Sequence, residues 1–136
     1  ISNPTPGQVP VRMADVLDGT SNTLFFGERR HRDSAYDAWA AGAGEQPIGQ
    51  YGWWHTAGGL AIVDATMTSL APLNYLADPS QSSFACLRIS AFGSQHPGGA
   101  GFALVDGSVR FVSEGIDLNI YRGMSTPQGG EVASAP

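Results

Sequence analysis

The clearest alternation of apolar and polar positions lies in residues 101–113, where two apolar runs flank Asp106-Gly107. Asp-Gly between such runs is the strongest short-range signal for a hairpin, because a type I′ turn needs positive φ at both central residues. That turn pairs Leu104 with Val109 and Phe102 with Phe111. The pattern therefore predicts a hairpin whose core-facing side carries Phe102, Leu104, Val109 and Phe111.

Shorter patterns predict the other elements. Residues 83–89 form an apolar run typical of a strand, as do residues 23–27. A short helix is expected over residues 117–124, because Ile116, Ile120 and Met124 recur every four residues. We also expect helical turns over residues 11–17 and 33–41, with Gly19 ending the first, an extended lead-in over 1–10, a loop over 70–76 and a loose tail over 125–136.

Composition agrees with one loop-rich domain. The chain has 136 residues with 18 Gly and 9 Pro, and only 14% of its residues are charged, against about 25% in an average domain. No internal repeat is visible. These values exclude a coiled coil and a helical bundle, and they favour a single domain over residues 1–136, of the mainly β or α+β class.

Charge and cysteine content narrow the function classes. The net charge is −5, and all seven basic residues are scattered arginines, so neither a nucleic acid nor an anionic membrane surface is an expected partner. Cys86 is the single cysteine, which excludes an intrachain disulfide and a cysteine-only zinc site. We expect it to be a small buried residue of a strand. A chain that opens on Ile1 is expected to be processed or truncated.

The histidines offer little chemistry of their own. His31, His55 and His96 lack the spacing of paired metal ligands. His96 is expected to hydrogen-bond a loop backbone and, with Gly98 and Gly99, to fix the start of the hairpin. Ser94, His96 and Asp106 are the residue types of a hydrolase triad, but no Gly-x-Ser-x-Gly elbow accompanies them. We therefore predict no catalytic residue.

A short polar loop offers oxygen atoms. Asp15, Asp18, Thr20 and Asn22 carry them, yet their spacing does not follow the calcium-loop pattern. The favoured interpretation is that Asp18, Ser21 and Asn22 satisfy backbone donors in a turn at Gly19. Calcium bound at Asp15, Asp18 and Asn22 is the alternative.

Two further groups are candidate contact sites. Tyr51, Trp53 and Trp54 are either a platform for stacking sugars or part of a core or subunit interface. Arg29 and Arg30 begin a short basic run, which we interpret as a solvated loop or a subunit contact.

Two long blocks carry a family resemblance. The first is Asp18-Gly19-Thr20-Ser21-Asn22-Thr23 with Gly27-Glu28. The second is Phe92-Gly93-Ser94-Gln95-His96-Pro97-Gly98-Gly99 followed by Asp106-Gly107-Ser108-Val109-Arg110-Phe111. With Pro72-Leu73-Asn74-Tyr75 and Gly129-Gly130-Glu131, they resemble a large bacterial family of prepilin-like proteins, in which a domain of unknown function follows a prepilin cleavage/methylation segment.

The resemblance implies a pilin-like or pseudopilin-like architecture: a cleaved leader, a long hydrophobic helix and a β-rich head. The 136 residues are similar to the C-terminal part of the head, and the leader and the helix are expected to lie outside them. The implied role is a non-enzymatic subunit, exported to the cell envelope or beyond and assembling with copies of itself or related subunits. Membrane contact would come only through the missing helix. No cofactor is implied, although some pseudopilin heads bind calcium. A surface-displayed module that binds glycans through Tyr51, Trp53 and Trp54 is the alternative.

Overall fold

A three-stranded antiparallel sheet and three short α-helices form the part of the chain that the computed structural model describes, residues 12–51 and 66–129. This confirms the α+β class. The expected lead-in over residues 1–10, His55 and both Trp53 and Trp54 lie outside the described residues. No helix among the described residues is long and apolar enough to cross a membrane.

The sheet joins two distant parts of the sequence. Its strands are β1 (Leu24–Gly27), β2 (Gly99–Leu104) and β3 (Val109–Ser113), and β2 lies in the middle. Strand β1 pairs with β2 through Leu24 opposite Leu104 and Gly27 opposite Phe102, with a bulge between Leu24 and Phe26. The predicted strand at residues 23–27 and the predicted hairpin are therefore both present.

The register of the hairpin differs from the prediction by one residue. Ala103 pairs with Val109 and Phe102 with Arg110. Only Gly107 in the turn has positive φ, at 84°, so a type I′ turn with two such residues does not form. Instead the Gly107 N–H donates to Leu104 O at 3.0 Å and the Leu104 N–H donates to Ser108 O at 2.9 Å, as in a three-residue loop with a glycine bulge.

The altered register decides which side chains are buried. A one-residue slip moves every side chain of a strand to the opposite face. Phe102 and Leu104 are buried as predicted, but the partner strand buries Val112. Val109 is 76% exposed and Phe111 is 60% exposed. The predicted four-residue core face is therefore wrong for its β3 half.

The helices are α1 (Ser34–Ala43), α2 (Phe84–Ser90) and α3 (Leu118–Gly123), with 3-10 turns at Met13–Asp15 and Ile48–Gln50. Helix α1 begins at the Asp33 carboxylate, which accepts from the Tyr36 N–H at 3.1 Å, and ends at Gly44 with φ of 73°. Helix α3 begins at Asp117, which accepts from the Asn119 N–H at 2.8 Å. Side-chain oxygens satisfy unpaired N–H groups at both helix starts, and the predicted helices at 33–41 and 117–124 are confirmed.

The predicted strand over residues 83–89 is wrong, because this segment is helix α2. A short apolar run is compatible with a buried strand and with a buried helical segment, and periodicity alone does not separate them. Phe84 and Arg88, one helical turn apart, are both buried, while Cys86 is exposed. The expectation of a buried strand cysteine is corrected accordingly.

Two hydrophobic clusters fill the interior. One lies between α1, α2 and the loops beside them, and the other lies between the sheet and α3. The buried members of the first are Tyr36, Ala40, Ile48, Tyr51, Ala77 and Phe84. Those of the second are Leu73, Ala100, Phe102, Val112 and Tyr121. The sheet thus has one covered face, and both motif blocks lie along its strands.

Candidate functional site

The fold brings the two motif blocks together at the turn end of the sheet. The Asp106 N–H donates to Thr20 O and the Val105 N–H donates to Thr23 O, each at 3.0 Å. Gly19, at φ of 94°, turns the first block so that the Asn22 N–H reaches Gly19 O at 2.9 Å. The first block therefore supports the hairpin turn through backbone hydrogen bonds.

Asp18 joins this turn to the C-terminal segment. Its buried carboxylate accepts from the Gly129 N–H at 2.7 Å, and the Leu17 N–H donates to Pro127 O, also at 2.7 Å. The Asn22 side chain donates to Asp18 O at 3.3 Å, whereas the Ser21 side chain is exposed. These hydrogen bonds hold the C-terminal segment as far as Gly129, and the rest of the tail predicted over 125–136 lies outside the described residues.

Asp15, the remaining residue of the alternative calcium site, forms an ion pair with Arg12. Its carboxylate contacts the Arg12 guanidinium at 3.0 Å, and hydrogen bonds from the Arg12 side chain and backbone lower the pKa of Asp15. Within residues 12–51 and 66–129, no three His, Cys, Asp or Glu side chains lie close enough together to hold a metal ion.

Glu28 connects the blocks at the other end of β2. Its Oε2 accepts from the Gly101 N–H at 2.6 Å, and its backbone O accepts from the Gly93 N–H at 2.9 Å. Oε1 lies 3.8 Å from Nε2 of His96, whose side chain is 72% exposed. The backbone N–H of His96 donates to Ser94 Oγ at 3.2 Å. The contact of His96 is thus a glutamate rather than the expected loop backbone.

Asn74 is a residue that the sequence analysis did not single out. At φ of 61°, it accepts from the Ser94 N–H at 2.7 Å through Oδ1 and donates to Glu114 Oε2 at 2.8 Å through Nδ2. A Cβ on Gly93 would lie 3.0 Å from Asn74 Oδ1, so this approach favours glycine. The only signal for Asn74 was its place in the family resemblance.

The residues of the hypothetical triad are not brought together. Asp106 lies after the turn end of β2, and Ser94 and His96 precede its other end. Asp106 Oδ1 accepts from the Ser108 hydroxyl at 2.6 Å and from the Ser108 N–H at 2.8 Å. These hydrogen bonds lower the pKa of Asp106. Asp106 therefore stabilises its own turn as a carboxylate.

Tyr51, Arg29 and Arg30, which the sequence indicated as candidate ligand or subunit contacts, lie in different environments. Tyr51 is buried and meets Tyr36 edge-on, with ring centroids 6.3 Å apart. The Arg29 guanidinium donates to Ile89 O at the end of α2. Arg30 Nε donates to Arg32 O at 3.3 Å. Tyr51 thus belongs to the core, and Arg29 holds α2 in place.

A buried ion pair lies beneath this arginine run. Arg88 donates to Asp33 through Nε and to Arg30 O through Nη2, each at 2.7 Å. Burial raises the pKa of Asp33, but hydrogen bonds from the Ala77 and Tyr36 N–H groups and from Arg88 outweigh it, so the pKa lies below its ordinary value. No sequence signal indicated that Arg88, in an apolar run, would be buried.

Comparison with known proteins gives one match. A family model described as "Protein of unknown function (DUF1559)" matches residues 3–119, most of the chain. No curated protein matches the chain significantly, and no solved structure does. The match covers both motif blocks up to Phe111, and its description names no activity.

Proposed function

Since the chain belongs to the DUF1559 family, whose function is unknown, we propose its role from its own residues: a non-enzymatic structural subunit. It is a pilin-like or pseudopilin-like head that assembles at the cell surface or in the envelope. Its partners are copies of itself or related subunits. Calcium is not required for this role.

One observation carries the proposal: the polar side chains of the motif blocks hold the backbone of the domain. Asp18 accepts from Gly129, Glu28 from Gly101, Asn74 from Ser94 and Asp106 from Ser108. A catalytic centre needs a nucleophile or base whose reactive atom faces substrate in a concave site. Groups used as backbone acceptors instead support a rigid scaffold, which suits a subunit of an assembly.

The glycan-binding alternative is less favoured. A sugar platform needs an exposed aromatic face, and Tyr51 is only 4% exposed. Trp53 and Trp54 lie outside the described residues, so this alternative now depends on these two alone.

The assembly state in the native envelope tests the proposal. Envelope and sheared surface fractions from the producing cells would be cross-linked and separated by size, and this chain would be detected with an antibody. We expect it in complexes of several subunits. A chain recovered only as a free monomer, with or without cross-linking, would contradict the structural role.

A further inference from the structure

Strand β3 forms one edge of the sheet, because β2 lies between it and β1. At the hairpin turn, the Leu104 N–H donates to Ser108 O at 2.9 Å. Hydrogen-bonded pairs alternate along an antiparallel ladder, so the next residues that bond to β2 through their backbone groups are Arg110 and Val112. The N–H and C=O groups that point to the other side of β3, which we call the open edge, belong to Val109, Phe111 and Ser113.

The open edge lacks the features that usually protect the edge of a sheet. Within residues 12–51 and 66–129, its only backbone hydrogen bond runs from the Ile116 N–H to Ser113 O, at 3.1 Å. The strand contains no proline, lysine or bulge, and Val109 and Phe111 are 76% and 60% exposed. An edge of this kind is a template for pairing with a further strand.

A partly apolar groove runs along the open edge. It has a volume of about 330 Å³ and lies between β3 and the start of α3, where Val112, Ile116 and Ile120 line it together with Asp117. In an added strand, the residue opposite Val112 projects to the same side of the sheet as Val112 and therefore toward the groove. That position favours an apolar residue.

Two charged residues flank Val112 along the strand. Arg110 precedes it by two positions and Glu114 follows it by two. The Glu114 N–H donates to Gly98 O at 2.9 Å, so the ladder continues beyond β3 and alternation places all three residues on one face. Arg110 is exposed and forms no ion pair within the described part of the chain. Asn74 Nδ2 donates to Glu114 Oε2 at 2.8 Å, which holds the carboxylate beside the edge.

A second copy of β3 meets these requirements in one register. When the two strands are antiparallel about a two-fold axis at Val112, the two valines lie opposite each other and Arg110 lies opposite Glu114 of the second copy. An axis at Arg110 would place two arginines opposite each other, and an axis at Phe111 would place Arg110 opposite a valine. Opposite charges in directly opposed positions stabilise a strand pair, whereas like charges destabilise it. Charge complementarity therefore favours the axis at Val112.

We propose that the open edge of β3 pairs with the open edge of a second copy of this chain, antiparallel and about a two-fold axis at Val112. Phe111 of each copy then lies opposite Ser113 of the other, and each such pair exchanges two backbone hydrogen bonds. A two-fold contact uses the same surface on both copies. The inference rests on the proposed function, for which it names the contact. The short strand predicts a weak contact, one that becomes stable when many copies are held together.

Charge reversal tests the register directly. In a homodimer of Arg110→Glu carboxylates would oppose each other, and in a homodimer of Glu114→Arg guanidinium groups would. Each variant should therefore self-associate at least about tenfold more weakly than wild type. In an equal mixture each variant supplies the charge that the other needs, so the two should associate with each other within about threefold of the wild-type affinity.

Sedimentation equilibrium from about 10 μM to about 1 mM measures these affinities, with a reducing agent present because Cys86 is exposed. Arg32→Glu and Glu45→Arg are the matched controls. Both residues are exposed and lie outside the sheet, and the two substitutions change the net charge as the test variants do. Each control should change the affinity less than about twofold. Thermal unfolding verifies that every variant is folded.

Amide hydrogen exchange distinguishes the open edge from other surfaces. The amides of Phe111 and Ser113 should become protected as the concentration rises, whereas those of Arg110 and Val112, which already bond to β2, should change little. A monomeric chain in which the amides of Phe111 and Ser113 are protected at every concentration would mean that another segment of the chain occupies this edge. That result contradicts pairing with a second copy.

Three further results would overturn the inference: a wild-type chain that is monomeric at the highest concentration, equal weakening by the control variants, or folded Arg110 and Glu114 variants whose mixture associates no better than either variant alone. In the native envelope, assembly that persists with Arg110→Glu refutes this contact alone. A wild-type chain found there only as free monomers refutes the structural role itself.

Discussion

Arg88 and Asp33 form an ion pair in the interior, with Nε and Oδ2 2.7 Å apart and side chains only 1% and 3% exposed. Asp33 also caps α1 and accepts from the Ala77 N–H at 2.8 Å, while Arg88 projects from α2. A single pair of charges thus connects two helices and a loop. Asp33 also accepts from two backbone N–H groups, and Arg88 also donates to Arg30 O. These additional hydrogen bonds help to offset the cost of desolvating two charges.

Replacing Arg88 by Met should destabilise the domain by about 3–5 kcal/mol, because the Asp33 carboxylate would stay buried without its partner. Urea unfolding followed by circular dichroism measures the change. Arg110→Met is the control, since Arg110 is exposed on β3, and should stay within about 0.5 kcal/mol of wild type. Equal unfolding midpoints for the Arg88 variant and wild type would show that the pair does not stabilise the fold.

Replacing Gly99 and Gly42 by alanine should change the stability of the domain in opposite directions, because a Cβ is crowded at Gly99 and unhindered at Gly42. A Cβ on Gly99 would collide with Val112 O and lie 2.8 Å from the Phe111 ring, whereas a Cβ on Gly42, in α1, meets nothing within 4 Å. We expect Gly99→Ala to destabilise by about 1–3 kcal/mol through overpacking and Gly42→Ala to stabilise by about 0.5–1 kcal/mol through helix propensity. The same sign for both in thermal unfolding would contradict the described packing of β2 on β3.

The turn of the hairpin depends on one glycine. Gly107 has φ of 84°, and a β-branched residue there is strained by about 1–3 kcal/mol, so Gly107→Val should lower the melting temperature. Gly115 lies outside the positive-φ region, and a Cβ there would meet only Ser113 Oγ, at 3.7 Å. Gly115→Val is therefore the control with a smaller effect. If both variants melt like the wild type, the turn geometry is not the one described.

His31 should make stability depend on pH. Burial lowers its pKa, and the positive charges of Arg29 and Arg88 lower it further. The unfolded chain takes up a proton near pH 6.5, while the folded chain does so only at lower pH. The free energy of unfolding should therefore fall as the pH drops below about 6.5 and level off below the folded-state pKa.

Urea unfolding of wild type and His31→Gln between about pH 7.5 and 5 measures this effect. The variant should show a flatter dependence than wild type. Leu70→Gln serves as the control, because Leu70 is 60% exposed and the substitution removes no ionisable group, so this variant should keep the wild-type slope. An unchanged slope in His31→Gln would mean that another group causes the pH dependence.

The secondary-structure elements that depend on residues close together in the sequence could be predicted. The hairpin, α3 and the strand at Leu24–Gly27 all follow from local patterns: a turn glycine, an apolar repeat every four residues and an aromatic run. The family resemblance also indicated both motif blocks. It did not show that Asp106 and Thr20 are in contact, because pairing across more than 80 residues leaves no local signal.

The sequence by itself determined the α+β class, the existence of the hairpin and the membership of both blocks in one domain. Only the tertiary structure decided the register, since Asp106 avoids positive φ and the loop takes three residues instead of two. That single shift exposes Val109 and Phe111 to solvent. Residues 84–90 are a helix in which the buried Phe84 and Arg88 share a face and Cys86 is exposed, whereas a strand would place all three on one side. Arg88 is buried against Asp33, which lies 55 residues away in sequence and gives no local signal.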